Sequence, residues 1–124
     1  MFKGAILVFL GGGLGSVCRY LISKALNGRG TNLPWGTFTV NILGSFIIGL
    51  LLGIAIKNNN LNNTTNLILA TGFCGGFTTF STFSFENQAL LKSGDYYNFA
   101  IYAIGSLILG IVAAAIGLYF SKLA

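Results

Sequence analysis

Charge is scarce in this chain of 124 residues. Only 7% are Asp, Glu, Lys or Arg, the acids number two, Glu86 and Asp95, and histidine is absent. Metal ligation by side chains and acid–base catalysis both draw on clusters of His, Cys, Asp and Glu, so a sequence this poor in them is not read as an enzyme. Both cysteines, Cys18 and Cys74, fall inside apolar stretches. That placement argues against a disulfide framework and for small buried hydrophobes. With 54% hydrophobic residues and a mean hydropathy of +0.80, the chain also lacks the polar surface of a water-soluble monomer.

What it has instead is apolar length. A bilayer core of roughly 30 Å takes about 20 apolar residues per helical crossing. Four segments approach that length: Lys3 to Leu26, Trp35 to Ile56, Asn66 to Leu91, and Phe99 to Ser121. Lys3 followed by GAILVFL has the look of a secretory signal, but no small-residue cleavage site follows before apolar character resumes, so this is the first crossing. The expectation is an all-α, multi-pass membrane protein with residues 1–124 forming one transmembrane domain and no soluble module. NGRGTNLP at 27–34 reads as a turn-rich connector with Trp35 as an interfacial anchor. KNNNLNNTTN at 57–66 reads as a short polar loop, and Ser93 to Tyr97 as a third link that ends in two headgroup-zone aromatics. No internal repeat is visible, so the chain does not carry its own inverted half.

The formal charge of +5 suggests nucleic acid or anionic lipid until the positions are placed. Four crossings put Lys3, Lys57 and Lys122 on one side and Lys24, Arg29 and Lys92 on the other. Orientation follows the excess of Lys and Arg in cytoplasmic loops, so a tied count, tipped only slightly by Arg19, predicts insertion both ways and pairing with an inverted copy. No nucleic-acid partner is expected. Four short helices enclose little space, which also points to a pore built by more than one copy.

Several residues stand out within the apolar segments. Gly11 with Gly15, Gly49 with Gly53, and Gly72 with Gly76 have the spacing that lets helices approach closely. GGGLGS at 11–16 superficially matches a phosphate loop, but no Lys follows in register and no strand precedes it. Thr37, Asn41 and Ser45 recur every four residues and share one helix face. The Asn41 amide either glues helices together or greets an anion. Gly75 and Gly76 sit near the midpoint of the third crossing, where a glycine pair permits a broken helix whose carbonyls turn inward, toward a packed neighbour or a cation.

The stretch Gly72 to Ser84, GFCGGFTTFSTFS, has four Phe, five Ser or Thr, three Gly and one Cys, with no Leu, Ile or Val. Hydroxyls at membrane depth need partners that hydrocarbon does not supply. Phe77, Phe80 and Phe83 recur every third residue, as packed core or as phenyl edges that coordinate an anion weakly enough to release it. Tyr102 and Ser106 add two hydroxyls on one face of the fourth crossing. Glu86 and Arg19, costly at a bilayer centre, are placed near the interface, snorkelling or in a vestibule.

GGGLGSVCRY at 11–20, GTFTVNILGSFIIG at 36–49 and GFCGGFTTFSTFSFE at 72–86 together resemble the Fluc, or CrcB, family of fluoride channels, across the whole chain and in the same order. The resemblance implies a dual-topology, antiparallel homodimer with a broken third helix and two fluoride paths. By likeness, Asn41 lines the pore, and Phe80 and Phe83 turn ring edges to fluoride. Ser81, Thr82, Tyr102 and Ser106 form a polar track with Thr39 nearby, Glu86 is a carboxylate of that track, and Arg19 belongs to the vestibule. A structural sodium ion is implied at the dimer centre, on the backbone carbonyls of Gly75 and Thr78 from each copy. Position 110 is Gly where some relatives carry a hydroxyl, which leaves the outer end of the track open.

The implied activity is passive export across the cytoplasmic (inner) membrane of a prokaryote, which lowers fluoride toxicity. Neutral HF enters from acidic surroundings, dissociates inside, and the trapped anion leaves through the channel. A negative-inside potential assists by about 2.3 kcal/mol per charge per 100 mV. Two competing readings are a proton-coupled small multidrug exporter and a subunit of a membrane assembly that conducts nothing. The exporter needs a carboxylate in its first crossing, and residues 3–26 contain none.

Overall fold

The computed structural model describes residues 1–28, 30, 32–59 and 63–123. Arg29, one of the charges in the side-by-side count, lies outside the described residues, as do residues 31 and 60–62 of the first two connectors. Among the described residues there is no strand, and four helical stretches are long and apolar enough to cross a membrane. Two are continuous: α1, Phe2–Leu26, and α2, Trp35–Lys57. A third continuous helix, Tyr96–Ser121, closes the chain as α6.

The remaining span, Thr64–Lys92, is composite. It opens with the short α3, Thr64–Asn66, whose N-cap Asn63 accepts the Asn66 N–H through its side chain. It widens into a π-helix, Leu67–Cys74, and narrows to one turn of α4, Gly75–Phe77. It then breaks, and resumes as α5, Ser81–Lys92. The break was expected at the glycine pair, but Gly75 and Gly76 remain helical and the chain departs at Thr78, with φ −89° and ψ 158°. The physical reason is that Gly76 packs against the Gly12 carbonyl of α1, so the chain gives way only after Phe77.

Tyr96 and Tyr97 also lie differently from the expectation. They form the first turn of α6 and are not part of the connector. Asp95 sets that start by capping, since its carboxylate accepts the Asn98 backbone N–H and side-chain amide. The Asn98 side-chain amide holds the Asp95 carboxyl below the usual carboxylate range.

Lipid offers no hydrophobic drive between helices, so close packing of small residues has to hold the bundle. All three predicted glycine pairs serve this. A Cβ on Gly11 would run into the Ile68 carbonyl, and one on Gly15 into the Phe73 carbonyl, which seats α1 directly on the π-helix and α4. Gly72 in turn lies against the Gly11 backbone. The most extensive pairing is α2 with α6, where Gly49 faces the Ala114 carbonyl, Gly53 faces Ser121, and Gly117 faces the Phe46 carbonyl. Large side chains such as Phe9, Leu14, Ile104 and Ile108 point outward, as a lipid-facing surface requires.

Candidate functional site

The site is built around the break. The helical ladder stops at the bond from the Thr78 N–H to the Cys74 carbonyl and restarts at the bond from the Ser84 N–H to the Phe80 carbonyl. Backbone groups between these must find partners elsewhere, because nothing in hydrocarbon can bond them. Asn41 of α2 takes two of them. Its Nδ2 donates to the Thr79 carbonyl at 3.1 Å and its Oδ1 accepts the Thr79 N–H at 2.8 Å, a two-point clamp on one residue. Arg19 of α1 takes a third, since its Nε donates to the Gly76 carbonyl at 3.0 Å. The Thr79 hydroxyl accepts the Thr82 N–H at 3.3 Å and lies 3.4 Å from the Ser81 hydroxyl, so Ser81 and Thr82 serve the start of α5. Of the two candidate uses of Asn41, interhelical glue is the one its amide visibly performs. One amide N–H is left over.

Among the described residues no backbone N–H closes the ladder onto the carbonyls of Gly75 or Thr78. A Cβ built on Gly75 would meet nothing within 4 Å, so this backbone faces open space. Neutral carbonyl oxygens free of helical partners are the donor chemistry that a hard cation such as sodium takes. Two carbonyls from one chain are too few for it, and a second copy would have to supply the rest.

Beside the break runs an open groove of about 780 Å³ between α2, the composite span and α6. Residues singled out from the sequence line it, among them Asn41, Ser45, Gly75, Thr78, Phe80, Phe83 and Ser106. Phe80 is 78% exposed, so it is not packed in a core, and it lines the groove. The Ser106 hydroxyl is buried and has no hydrogen-bond partner, and Gly110 lines the far part of the groove without adding a hydroxyl. Phe77, by contrast, is buried and stacks on Phe73 at 5.4 Å, so the break divides the phenylalanine series into one packing ring and two groove rings. Thr39 lies outside the groove lining.

A chain of contacts leads from the groove toward the end of the bundle. Phe83 lies 6.2 Å from Phe80 and 5.0 Å from the Tyr102 ring, centroid to centroid. The Tyr102 hydroxyl donates to Glu86 Oε1 at 2.8 Å, and the Thr37 hydroxyl donates to Glu86 Oε2 at 2.8 Å. Glu86 in turn lines a second cavity of about 530 Å³, near Asp95 and Asn32. Among the described residues the carboxylate is held by two hydroxyls through charge-assisted bonds, and by no cation. Thr37, fully buried, is the functional partner that the sequence did not single out for Glu86, although it belongs to the four-residue stripe with Asn41 and Ser45.

Residues 6–118 match the family described as "CrcB-like protein, Camphor Resistance (CrcB)". A protein of Phocaeicola vulgatus is 50% identical over 121 residues, covering 97% of this chain and 99% of its own. One of Gloeothece citriformis is 54% identical over 118 residues, covering 94% and 95%, and one of Bacteroides fragilis is 44% identical over 124 residues, covering 97% of each. All three are named fluoride-specific ion channel FluC. Coverage this complete, at this identity and along an all-helical four-span chain, means that the chain belongs to the CrcB family.

Proposed function

We propose that this chain is a subunit of a passive, fluoride-selective channel in the cytoplasmic membrane of a prokaryote, working as a homodimer of inverted copies with a structural sodium ion between them. The open groove beside the helix break carries the reading. A groove lined by residues that keep a spare amide N–H, on Asn41, and carbonyls without helical partners, on Gly75 and Thr78, is out of place against hydrocarbon. A second copy laid over it would turn it into a closed path. The relatives' name supplies the ion.

Within that path Phe80 and Phe83 offer the positive rims of their rings, which attract an anion without a formal charge that would trap it. The Ser106 hydroxyl is free to donate, and Asn41 keeps one amide N–H beyond the one spent on Thr79. At the end of the track the Thr37 and Tyr102 hydroxyls are engaged by Glu86. The carboxylate repels fluoride, and its part is to hold those two donors in place at the mouth. The carbonyls of Gly75 and Thr78 from both copies would hold the sodium ion, which when bound adds a fixed positive charge between the two paths. The driving force is the fluoride gradient and the membrane potential, with no coupled reaction.

Purified protein in liposomes, with efflux followed by a fluoride electrode, tests this. Fluoride is expected to leave rapidly and chloride not at all, and removal of sodium is expected to slow the flux. Chloride efflux at comparable speed would reject the selectivity. In the same assay Phe80→Ile is expected to lower fluoride flux at least about tenfold, the equivalent of one aromatic contact of about 1.4 kcal/mol. Unchanged flux would remove the ring-edge mechanism. Tags on both termini, read from the two membrane faces, are expected to report similar populations in the two orientations. A single orientation overturns the inverted pair.

A further inference from the structure

In an unbroken α-helix the Gly76 carbonyl would accept the N–H of Phe80, four residues on. The extended backbone at Thr78 takes that donor away. The replacement comes from another element, 57 positions distant, as the Arg19 Nε–H at 3.0 Å. Its delivery is set by the packing of α1. Gly11, Gly15 and Arg19 are spaced four apart and share one face, and the first two lie directly on the backbone of the π-helix and α4. The contact is mutual, since a Cβ on Gly76 would meet the Gly12 carbonyl and, at 3.0 Å, the Ser16 hydroxyl. Two glycines fix the height and rotation of the helix, and the third residue of the same face arrives with a guanidinium at the carbonyl that the break has freed.

We infer that Arg19 is a positioning residue whose Nε–H stands in for the missing Phe80 N–H and so fixes where α4 ends. Asn41 holds Thr79 from α2, and Arg19 holds Gly76 from α1. The span is gripped on both sides of the turn at Thr78, beside which Gly75 and Phe80 line the groove. A vestibule charge would need only a cation. A stand-in for a backbone donor needs an N–H held at one oxygen in one geometry, which the rigid planar guanidinium fixes and the rotating ammonium of a flexible lysine does not hold to the same degree.

Selective isotope labelling reads that oxygen directly. With glycine labelled at its carbonyl carbon by 13C and phenylalanine at nitrogen by 15N, only the Gly72–Phe73 and Gly76–Phe77 bonds give a paired signal, because no other Gly–Phe step occurs in the chain. Arg19→Gln and Arg19→Lys are both expected to move the Gly76–Phe77 signal by more than its linewidth and to leave the Gly72–Phe73 signal in place. Both are expected to lower fluoride flux about tenfold, in line with one charge-assisted hydrogen bond. An unmoved Gly76–Phe77 signal in Arg19→Lys overturns the inference, and so does undiminished flux in that variant. If Arg19→Gln does not fold, Arg19→Lys decides both. Only the flux arm rests on the channel reading. Failure of the unmodified protein to conduct fluoride would strike that reading and leave the carbonyl signal to decide the role of Arg19.

Discussion

Asn41→Leu is expected to cut fluoride efflux about a hundredfold and to lower the melting temperature of the subunit. The substitution keeps the branched four-atom side-chain skeleton but removes both halves of the clamp on Thr79. The Thr79 N–H and carbonyl then sit at membrane depth without partners, each at a cost of about 1–3 kcal/mol. The Ser45 hydroxyl, which donates to the Asn41 main-chain carbonyl, is unaffected, so α2 itself should persist. The loss falls on the turn that presents Phe80 and on the one spare amide N–H at the groove. Asn41→Asp separates the two effects. It retains an acceptor for the Thr79 N–H, loses the donor, and places a negative charge beside an anion path at an insertion cost of about 2.5–3.5 kcal/mol. It too is expected to cut flux at least about a hundredfold, while keeping the Thr79 N–H bonded, since one half of the clamp survives. Liposome efflux normalised to incorporated protein, together with a thermal melt in detergent, checks both variants. Efflux by Asn41→Leu within a few-fold of the unmodified protein would separate Asn41 from conduction.

Gly117→Leu is expected to yield no folded subunit. The site lies on the α2–α6 seam, where the first added carbon runs into the Phe46 carbonyl and approaches the Leu50 nitrogen at 2.8 Å. These are main-chain atoms of a helix and cannot swing aside as a side chain can. Forcing the helices apart would undo the neighbouring contacts at Gly49 and Gly53 as well. The penalty is about 3 kcal/mol or more, at the upper end for overpacking. Gly13→Ala provides the control, because a Cβ there meets nothing within 4 Å. Size-exclusion profiles of the two variants at equal expression make the comparison, and a monodisperse, thermally normal Gly117→Leu would show that the seam is not close-packed.

The parts of the fold that the sequence reveals are those governed by solvent. Four runs of apolar residues this long read as four helical crossings, and their ends fall within three residues of the expected ones, because in hydrocarbon a continuous apolar run satisfies its own backbone as a helix. Gly11, Gly15, Gly49 and Gly53 were legible for a similar reason, since small residues four apart have few other uses in lipid. What stayed hidden was decided between elements. Glycine propensity pointed to a break at Gly75 and Gly76, yet the clamp from Asn41 and the contact of Gly76 with α1 move it to Thr78. The π-helix at Leu67–Cys74 has no propensity signature of its own. For the site, Asn41, Phe80, Phe83 and Ser106 do meet in one groove. Thr37 could have been found by asking which hydroxyl of the Asn41 stripe stands nearest the end of the bundle where Glu86 lies. The bond from Arg19 to Gly76 could not, because nothing local in either segment encodes it.

The glycine seams have one further consequence, for temperature. Cores of water-soluble proteins weaken on cooling, because the release of ordered water that drives them fades. Where Gly117 meets the Phe46 carbonyl and Gly49 meets Ala114, main chain touches main chain and no water was there to be released. Cold therefore removes little from these contacts, and the subunit is expected to keep its shape on ice as well as it does in a warm cell.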